Sequence, residues 1–356
     1  MQISHLKIRD FRNLVDVEFE PCAGINLIYG PNASGKTSLL EAIYYLSHLR
    51  SFRTPNISDL INKEADSLSL YAKAIDRFEH QIPIGINRSK SSLEVRANQK
   101  NIQRVADLTC ILPVLAIHPD SYRLITGSPS ERRSYIDWGV FHVEHGFFNA
   151  WQRYRKTLSQ RNAALKSGEK ASYCKLWDKE LEQSAQHIDS LRGRYLEALQ
   201  PLLEPLIEQF FPDQLVKMVY KRGWKSGQNL ISVLDQAFDR DRARGFTQYG
   251  PHRADLDIQV DGKSAQTGIS RGQQKVLVAI LKLAQVALYT RESSRHCVLL
   301  YDDLAAELDD SHRKKIMGVL RELSIQLFLT AIEPEQIDLQ SWTQSRMFHV
   351  EQGQLK

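Results

Sequence analysis

Long apolar runs are missing from this chain of 356 residues. Its most apolar segment, residues 276–289, is interrupted by Lys282 and Gln285, and the opening Met1-Gln-Ile-Ser-His-Leu-Lys-Ile8 is too polar for a secretory h-region, so neither a membrane span nor a leader is expected. Cysteine is scarce. The four present, Cys22, Cys110, Cys174 and Cys297, are widely separated and form no metal-ligand spacing and no redox pair, which excludes a disulfide scaffold or zinc ribbon and suits a reducing cytoplasm. No Gly-, Ser- or Pro-rich stretch announces a linker between domains. Charge of one sign does not dominate either: 47 Lys and Arg stand against 42 Asp and Glu, a net +5 that is compatible with nucleic-acid binding without requiring it.

What is present is a set of short motifs in a fixed order. Gly30-Pro31-Asn32-Ala33-Ser34-Gly35-Lys36-Thr37 fits the P-loop pattern Gly-x-x-x-x-Gly-Lys-Thr, and its flanks fit too, because Ile25–Tyr29 reads as a buried strand and residues 38–43 as the start of a helix. The two glycines permit a backbone path that turns amide N–H groups inward, while the helix N-terminus adds partial positive charge where phosphate oxygens would lie. Lys36 is expected to reach the β- and γ-phosphates of ATP and Thr37 to offer its hydroxyl to Mg2+, a hard cation that prefers oxygen. Val298-Leu-Leu-Tyr301 is an apolar run ending in Asp302-Asp303, as expected of a parallel strand delivering acids at its carboxyl end. Asp302 is the expected magnesium ligand. Asp303 faces the other way if the strand continues and is then a solvated loop acid; if the chain turns there, it is aimed at the attacking water as catalytic base.

Ser270-Arg-Gly272-Gln273-Gln274-Lys275 precedes an apolar helical segment, with Ser270 placed as N-cap. Alone it reads as an ordinary capped helix or as a further anion site. Together with the P-loop and the acid pair, Ser-x-Gly-Gln resembles the signature motif of the ABC ATPase superfamily, which includes the structural maintenance of chromosomes proteins. The resemblance implies a homodimer with two ATP molecules sandwiched between subunits, the Ser270, Gly272 and Gln273 turn of one closing over the γ-phosphate held by the other.

The middle of the chain differs in character. Ser128-Pro129-Ser130-Glu131 has the form of a capping box with proline at the first helical position, and helical periodicity runs on to Leu165; after a polar break at 166–172 a second amphipathic stretch extends to Phe210, with Pro201 and Pro205 expected to kink or interrupt it. Strands are expected at residues 68–75, 92–96, 114–117 and 255–260. The P-loop and Asp302 must meet in one sheet. The expected fold is therefore α/β: an ABC-type ATPase head of residues 1–126 and 213–356, built on a P-loop mixed sheet, with an inserted α-helical hairpin lobe at 127–212. Residues 151–179 carry Arg153, Arg155, Lys156, Arg161, Lys166, Lys170, Lys175 and Lys179 against Glu169 and Asp178, with Trp151, Tyr154, Tyr173 and Trp177 interleaved. This run is a solvated helix face or a contact with a phosphate backbone.

Residues 8–14 (Ile-Arg-Asp-Phe-Arg-Asn-Leu), 127–133 (Gly-Ser-Pro-Ser-Glu-Arg-Arg), 249–253 (Tyr-Gly-Pro-His-Arg), 272–275 and Asp302-Asp303 with Glu307-Leu308-Asp309 resemble the bacterial RecF family over nearly the full length. The resemblance implies a cytoplasmic, ATP-dependent DNA-binding dimer that recognises gapped DNA. It also implies partners RecO and RecR in loading RecA, with roles in recombinational repair, replication restart and SOS induction. Two positions depart from the family pattern: Ala254 where an acid is expected and Ala306 where a serine is expected. Thr330, after the expected strand 326–329, occupies the place of a γ-phosphate sensor or caps a helix. Asp303 is one methylene shorter than glutamate, so hydrolysis is expected to be slow, with ATP acting as a switch. A non-hydrolysing DNA-binding scaffold and an SMC-type head are the alternatives, although the insertion is too short for coiled-coil arms. His252 and Arg253 follow Gly-Pro and read as a structural turn.

Overall fold

Alternation in the sequence sets the first sheet: strand Ser67–Ile75 buries Leu68, Leu70, Ala72 and Ala74 on one face and leaves the intervening residues half-buried. In a computed structural model, which describes residues 1–323 and 325–356, the chain divides into two compact units, Met1–Ser121 with Ala279–Lys356, and Tyr122–Val278. The hairpin expected at 127–212 falls inside the second unit, which also takes in residues 213–278.

Among the described residues the first unit holds two six-stranded sheets. One is antiparallel, in the spatial order Leu14–Phe19, Gln2–Phe11, Ser67–Ile75, Gln81–Ser89, Leu93–Ala97, Lys100–Asn101. The other runs Gln354–Leu355, Ser345–Glu351, Ile25–Tyr29, Gln326–Ala331, Val298–Tyr301, Val114–Ile117, parallel except at Gln354–Leu355. Its inner strands are buried on both faces, which is why 298–301 and 327–329 read as continuous apolar runs and not as alternating ones. Helix Lys36–His48 shares one core with both sheets: Leu39 and Ile43 belong to the same buried cluster as Leu6, Ile8 and Leu70 from one sheet and Val298, Leu300 and Phe328 from the other.

In the second unit the expected first helical run is two helices, Pro129–Val143 and Phe147–Lys166, separated at Gly146, whose φ of 101° breaks the ladder. The capping box expected at Ser128 does not form, because the Ser128 hydroxyl pairs with Ser130 Oγ at 2.7 Å; the helix nonetheless starts at Pro129. Helix Asp178–Phe210 runs through Pro201 and Pro205 without interruption over 33 residues. Each proline removes one ladder hydrogen bond, at a cost of roughly 3 kcal/mol in an isolated helix interior. Buried Leu199, Leu203 and Phe210 offset that cost by fastening the segment to the core.

Two buried arginines tie the helices to later segments. Arg161, counted in the basic run, points inward: it bonds Asp178 at 2.8 Å, Asp241 at 2.9 Å and Thr247 Oγ1 at 2.8 Å, and so is no surface contact. Arg192 forks onto Asp137 at 2.9 and 3.0 Å and donates to the Pro251 carbonyl at 2.9 Å. Truncating Arg161 would leave the buried carboxylates of Asp178 and Asp241 unpaired, a loss of about 3–5 kcal/mol. Ala254 is fully buried and its carbonyl accepts from Arg133 at 2.8 Å, while the acid beside it, Asp255, forks onto Arg132 at 2.7 and 3.1 Å. Among the described residues no helix is long and apolar enough to cross a membrane.

His252 is the pin of the Gly-Pro-His-Arg turn. Its Nε2 faces the Thr247 carbonyl at 3.0 Å, which can only accept, so Nε2 carries the proton and Nδ1 accepts from the Tyr154 hydroxyl at 2.6 Å. Burial, with the charges of Arg253, Arg133 and Arg155 acting in the same direction against the Thr247 bond, pushes the ring down to about 4 from an ordinary 6.5. Between those values the unfolded chain binds the extra proton and the native state does not, so stability rises with pH across that window. Denaturant unfolding of the whole chain is therefore expected to show stability falling as pH drops from 6.5 towards 4. The slope should be shallower in His252→Gln, with His118 and His142, pushed down to about 3 by burial, keeping part of it.

Candidate functional site

Parallel strands bring their carboxyl ends to one edge of the sheet, where ligands of open α/β folds sit. Strand Gln326–Ala331 lies between the P-loop strand and the acid strand, with Leu329 opposite both Leu27 and Tyr301, so Thr330 is level with the start of Asp302-Asp303. The loop that follows Ile25–Tyr29 needs its glycines. Gly30 has φ 146°, and a Cβ there would lie 2.2 Å from the Val350 carbonyl oxygen. Ala33 is held at φ 62°, a left-handed conformation that an alanine adopts only under constraint. Gly35 opens the helix Lys36–His48, and Lys36 Nζ curls back onto the carbonyls of Gly30 at 2.7 Å and Pro31 at 2.9 Å.

The strand bearing the acids stops at Tyr301, and Asp303 adopts φ 59°, ψ 39°. The alternation is broken there, so both acids line the same cavity. Asp302 is 4% exposed; Thr37 Oγ1 lies 3.1 Å from each of its carboxylate oxygens, and Thr330 Oγ1 donates to Oδ1 at 2.8 Å. The same Thr330 oxygen accepts from the Asp303 backbone N–H at 2.7 Å. Thr330 is thus inside a strand and is not a helix cap; one hydroxyl sets the positions of both acids.

The cavity has a volume of about 390 Å³ and is walled by residues 32–38 of the P-loop, by Asp302, Asp303 and Thr330, and by Arg12, Asn13 and Arg53. Asn13 clasps the loop, donating to the Ser34 carbonyl at 3.2 Å and accepting from Ser38 Oγ at 2.9 Å. Ser34 Oγ is buried there with no hydrogen-bond partner among the described residues. Arg12, Asn13 and Arg53 had no assigned role in the sequence; the first two lie in the segment 8–14 that carries the family resemblance, whereas Arg53 stands in no motif. Burial lowers the Lys36 ammonium, with Asp303 and Asp302 acting against it. Burial raises the Asp302 carboxyl, with Asp303 adding to it, against the hydrogen bonds from Thr330 and Thr37 and the charge of Arg53. An anion beside Lys36 and a cation beside Asp302 would relieve both groups. Thr37 and Asp302 present hard oxygen donors that suit magnesium. Among the described residues no three His, Cys, Asp or Glu side chains converge on a metal position, so a cation held by Thr37 and Asp302 would need further ligands from phosphate and water.

Ser270, Gly272 and Gln273 belong to the second unit. Helix Arg271–Ser293 starts with a reciprocal cap: Ser270 Oγ accepts from the Gln273 N–H at 3.3 Å, and Gln273 Oε1 accepts from the Ser270 N–H at 3.0 Å. Ser270, Arg271 and Gly272 are exposed, and a Cβ on Gly272 would meet nothing nearer than Ser270 Oγ at 4.0 Å among the described residues, so no contact there requires glycine. Gln274, by contrast, is buried and donates to the Gln266 carbonyl at 2.9 Å.

A sequence model of the RecF/RecN/SMC N terminal domain matches residues 2–356. The chain is 41% identical over 355 residues to the DNA replication and repair protein RecF of Shewanella frigidimarina (strain NCIMB 400), covering 99% of this chain and 98% of that protein. It superimposes on a solved structure of the recombination mediator protein RecF with ATP in the RecFOR pathway with a TM-score of 0.89 at 26% identity, covering 99% of this chain and 96% of that one. The Smc head bound to the C-winged helix domain of ScpA shares the fold alone, at TM-score 0.62 and 16% identity over 100% of this chain and 96% of that one.

Because burial raises Asp302, its charge weakens the protein in the absence of a cation. Asp302→Asn is therefore expected to melt higher than the parent without ligand, and to lose the additional rise that ATP with magnesium gives the parent. Differential scanning fluorimetry with and without ATP and magnesium reads both.

Proposed function

The chain belongs to the RecF family, and from that premise we propose that it is an ATP-dependent DNA-binding protein of recombinational repair whose two ATP sites are completed only when two copies of the chain meet. The observation that carries the proposal is the convergence of the P-loop, the acid pair and Thr330 on one cavity at the carboxyl ends of three adjacent parallel strands. Lys36 and the loop amides bind the phosphates, Thr37 and Asp302 hold magnesium, and Thr330 keeps the acids in register with the terminal phosphate. Bound magnesium supplies charge neutralisation between the phosphates and Asp302. Asp303 is the base that takes the proton of the attacking water, and being short it works slowly, through a long contact or a second water. The exposed, reciprocally capped Ser270 turn, whose Gly272 faces open space, supports a role for Ser270, Gly272 and Gln273 on the γ-phosphate of the partner copy.

The head of residues 1–126 and 213–356 and the hairpin lobe at 127–212 are part of the same reading. So is the DNA face: Arg153, Arg155, Lys156, Lys166, Lys170 and Lys179 are exposed, while Arg161 serves the core and Lys175 pairs with Asp235 at 2.8 Å. A phosphate backbone on these residues gives steeply salt-dependent affinity. With RecO and RecR the dimer marks gapped DNA for RecA loading in the cytoplasm, which also places it in replication restart and SOS induction.

Sedimentation with ATP, ADP and no nucleotide, with and without gapped duplex, combined with single-turnover hydrolysis, tests the proposal. The parent should dimerise with ATP alone among the three states. Ser270→Arg should bind ATP as a monomer and stay one, and Asp303→Asn should accumulate as an ATP-bound dimer. A normal ATP-induced dimer in Ser270→Arg refutes capping in trans. An undiminished hydrolysis rate in Asp303→Asn removes that residue from catalysis, and no hydrolysis in the parent, with or without DNA, leaves ATP as glue in a scaffold.

A further inference from the structure

Glu41 lies on the P-loop helix with its side chain fully buried, and its carboxylate is held from outside that helix. Arg12 forks onto it through Nε and through Nη2, the latter at 2.7 Å; Ser51 Oγ donates to Oε1; Arg53 Nη1 donates to Oε2 at 3.4 Å. Both arginines also wall the phosphate cavity. The turn that carries Arg53 is fastened at the same point, because the Ser51 hydroxyl accepts from the Arg53 N–H at 2.8 Å and the Thr54 N–H at 3.0 Å. Phe52 then locks the turn, edge-on to Tyr44 at 5.4 Å and stacked on His118 at 4.6 Å. A carboxylate buried beside a site for a polyanion would oppose binding unless its charge were more than matched, and here one anion meets two guanidiniums.

We infer that Glu41 is a positioning residue that holds Arg12 and Arg53 in place for the phosphates of ATP, with Arg53 serving the terminal phosphate beside the acid pair. Arg53 has the more open side chain, 42% exposed against 18% for Arg12, and makes the longer contact to Glu41, so its fork retains donors for a ligand. It lines the cavity together with Asp302, Asp303 and Thr330. Arg12 sits beside Asn13 and the loop. The inference rests on the nucleotide reading of the cavity and adds to it the means by which a triphosphate is told from a diphosphate.

Electrostatics alone and positioning predict opposite signs for Glu41→Gln. Removing a negative charge next to bound phosphates should tighten binding; releasing the arginines should weaken it, and weaken ATP more than ADP. Calorimetric titration of the full-length protein with ATP and with ADP, each with magnesium, is expected to show Glu41→Gln losing about tenfold or more in ATP affinity, with a smaller loss for ADP. Arg53→Ala should show the same shift in the ATP:ADP ratio, and the double variant no more than the larger single loss. Equal or tighter ATP binding in Glu41→Gln, an unchanged ratio, or losses that multiply overturn the inference. Melting temperature and circular dichroism check the fold. If Glu41→Gln does not fold, the cycle is run with Ser51→Ala and Arg53→Ala, and multiplicative losses there have the same consequence. A parent protein that binds no ATP overturns the reading of the cavity itself, whereas a parent that binds ATP while the variants keep its ATP:ADP ratio overturns the positioning role alone.

Discussion

A single buried carboxylate organises the site. Asp302 is taken out of water at the end of an inner strand and is tolerated because Thr37, from the P-loop helix, and Thr330, from the intervening strand, both hydrogen-bond to it. Three segments from opposite ends of the chain are thereby registered to within a hydrogen bond, and the backbone of Asp303 is tied to the same hydroxyl. Burial raises Asp302 and lowers the Lys36 ammonium, which donates to the Gly30 and Pro31 carbonyls of its own loop. A ligand that pairs with both groups would couple its binding to the stability of the sheet edge.

The capped Ser270 turn has complementary properties. It is a helix N-terminus with its first turn satisfied by its own side chains, exposed, and furnished with a glycine that no intrachain contact explains. An anion approached by such a turn meets backbone N–H groups with no Cβ in the way. The P-loop cavity and the Ser270 turn lie on two different units of the chain, and in the proposed dimer they are the two halves of one binding site, joined between copies.

Much of this was legible in the sequence because it depends on short-range rules. A strand, a glycine loop and a helix in immediate succession identify the P-loop, and a fully apolar tetrad ending in two acids identifies an inner parallel strand. Where one local rule competes with another or with tertiary contacts, the sequence was less legible. Ser128 pairs with the nearby Ser130 hydroxyl in place of the backbone; Pro201 and Pro205 do not interrupt a helix whose packing outweighs two lost hydrogen bonds; Arg161, indistinguishable in sequence from its exposed neighbours, is paired in the core with acids from distant segments. Thr330 was expected beyond its strand and lies inside it. Arg12, Arg53 and Glu41 were missed as a group because their spacing follows no periodic pattern: they meet only once the first strand, the P-loop helix and the turn after it have folded together.

In the proposed dimer each nucleotide is enclosed by the P-loop of one copy and the Ser270 turn of another, and mixing two inactive variants tests that enclosure directly. Lys36→Ala lacks the phosphate half and Ser270→Arg lacks the capping half, so each alone is expected to be without ATP hydrolysis, while an equimolar mixture should form heterodimers with one intact composite site and recover a fraction of the parent rate. A mixture as inactive as its components, or Ser270→Arg hydrolysing ATP at the parent rate alone, would contradict a site shared between copies.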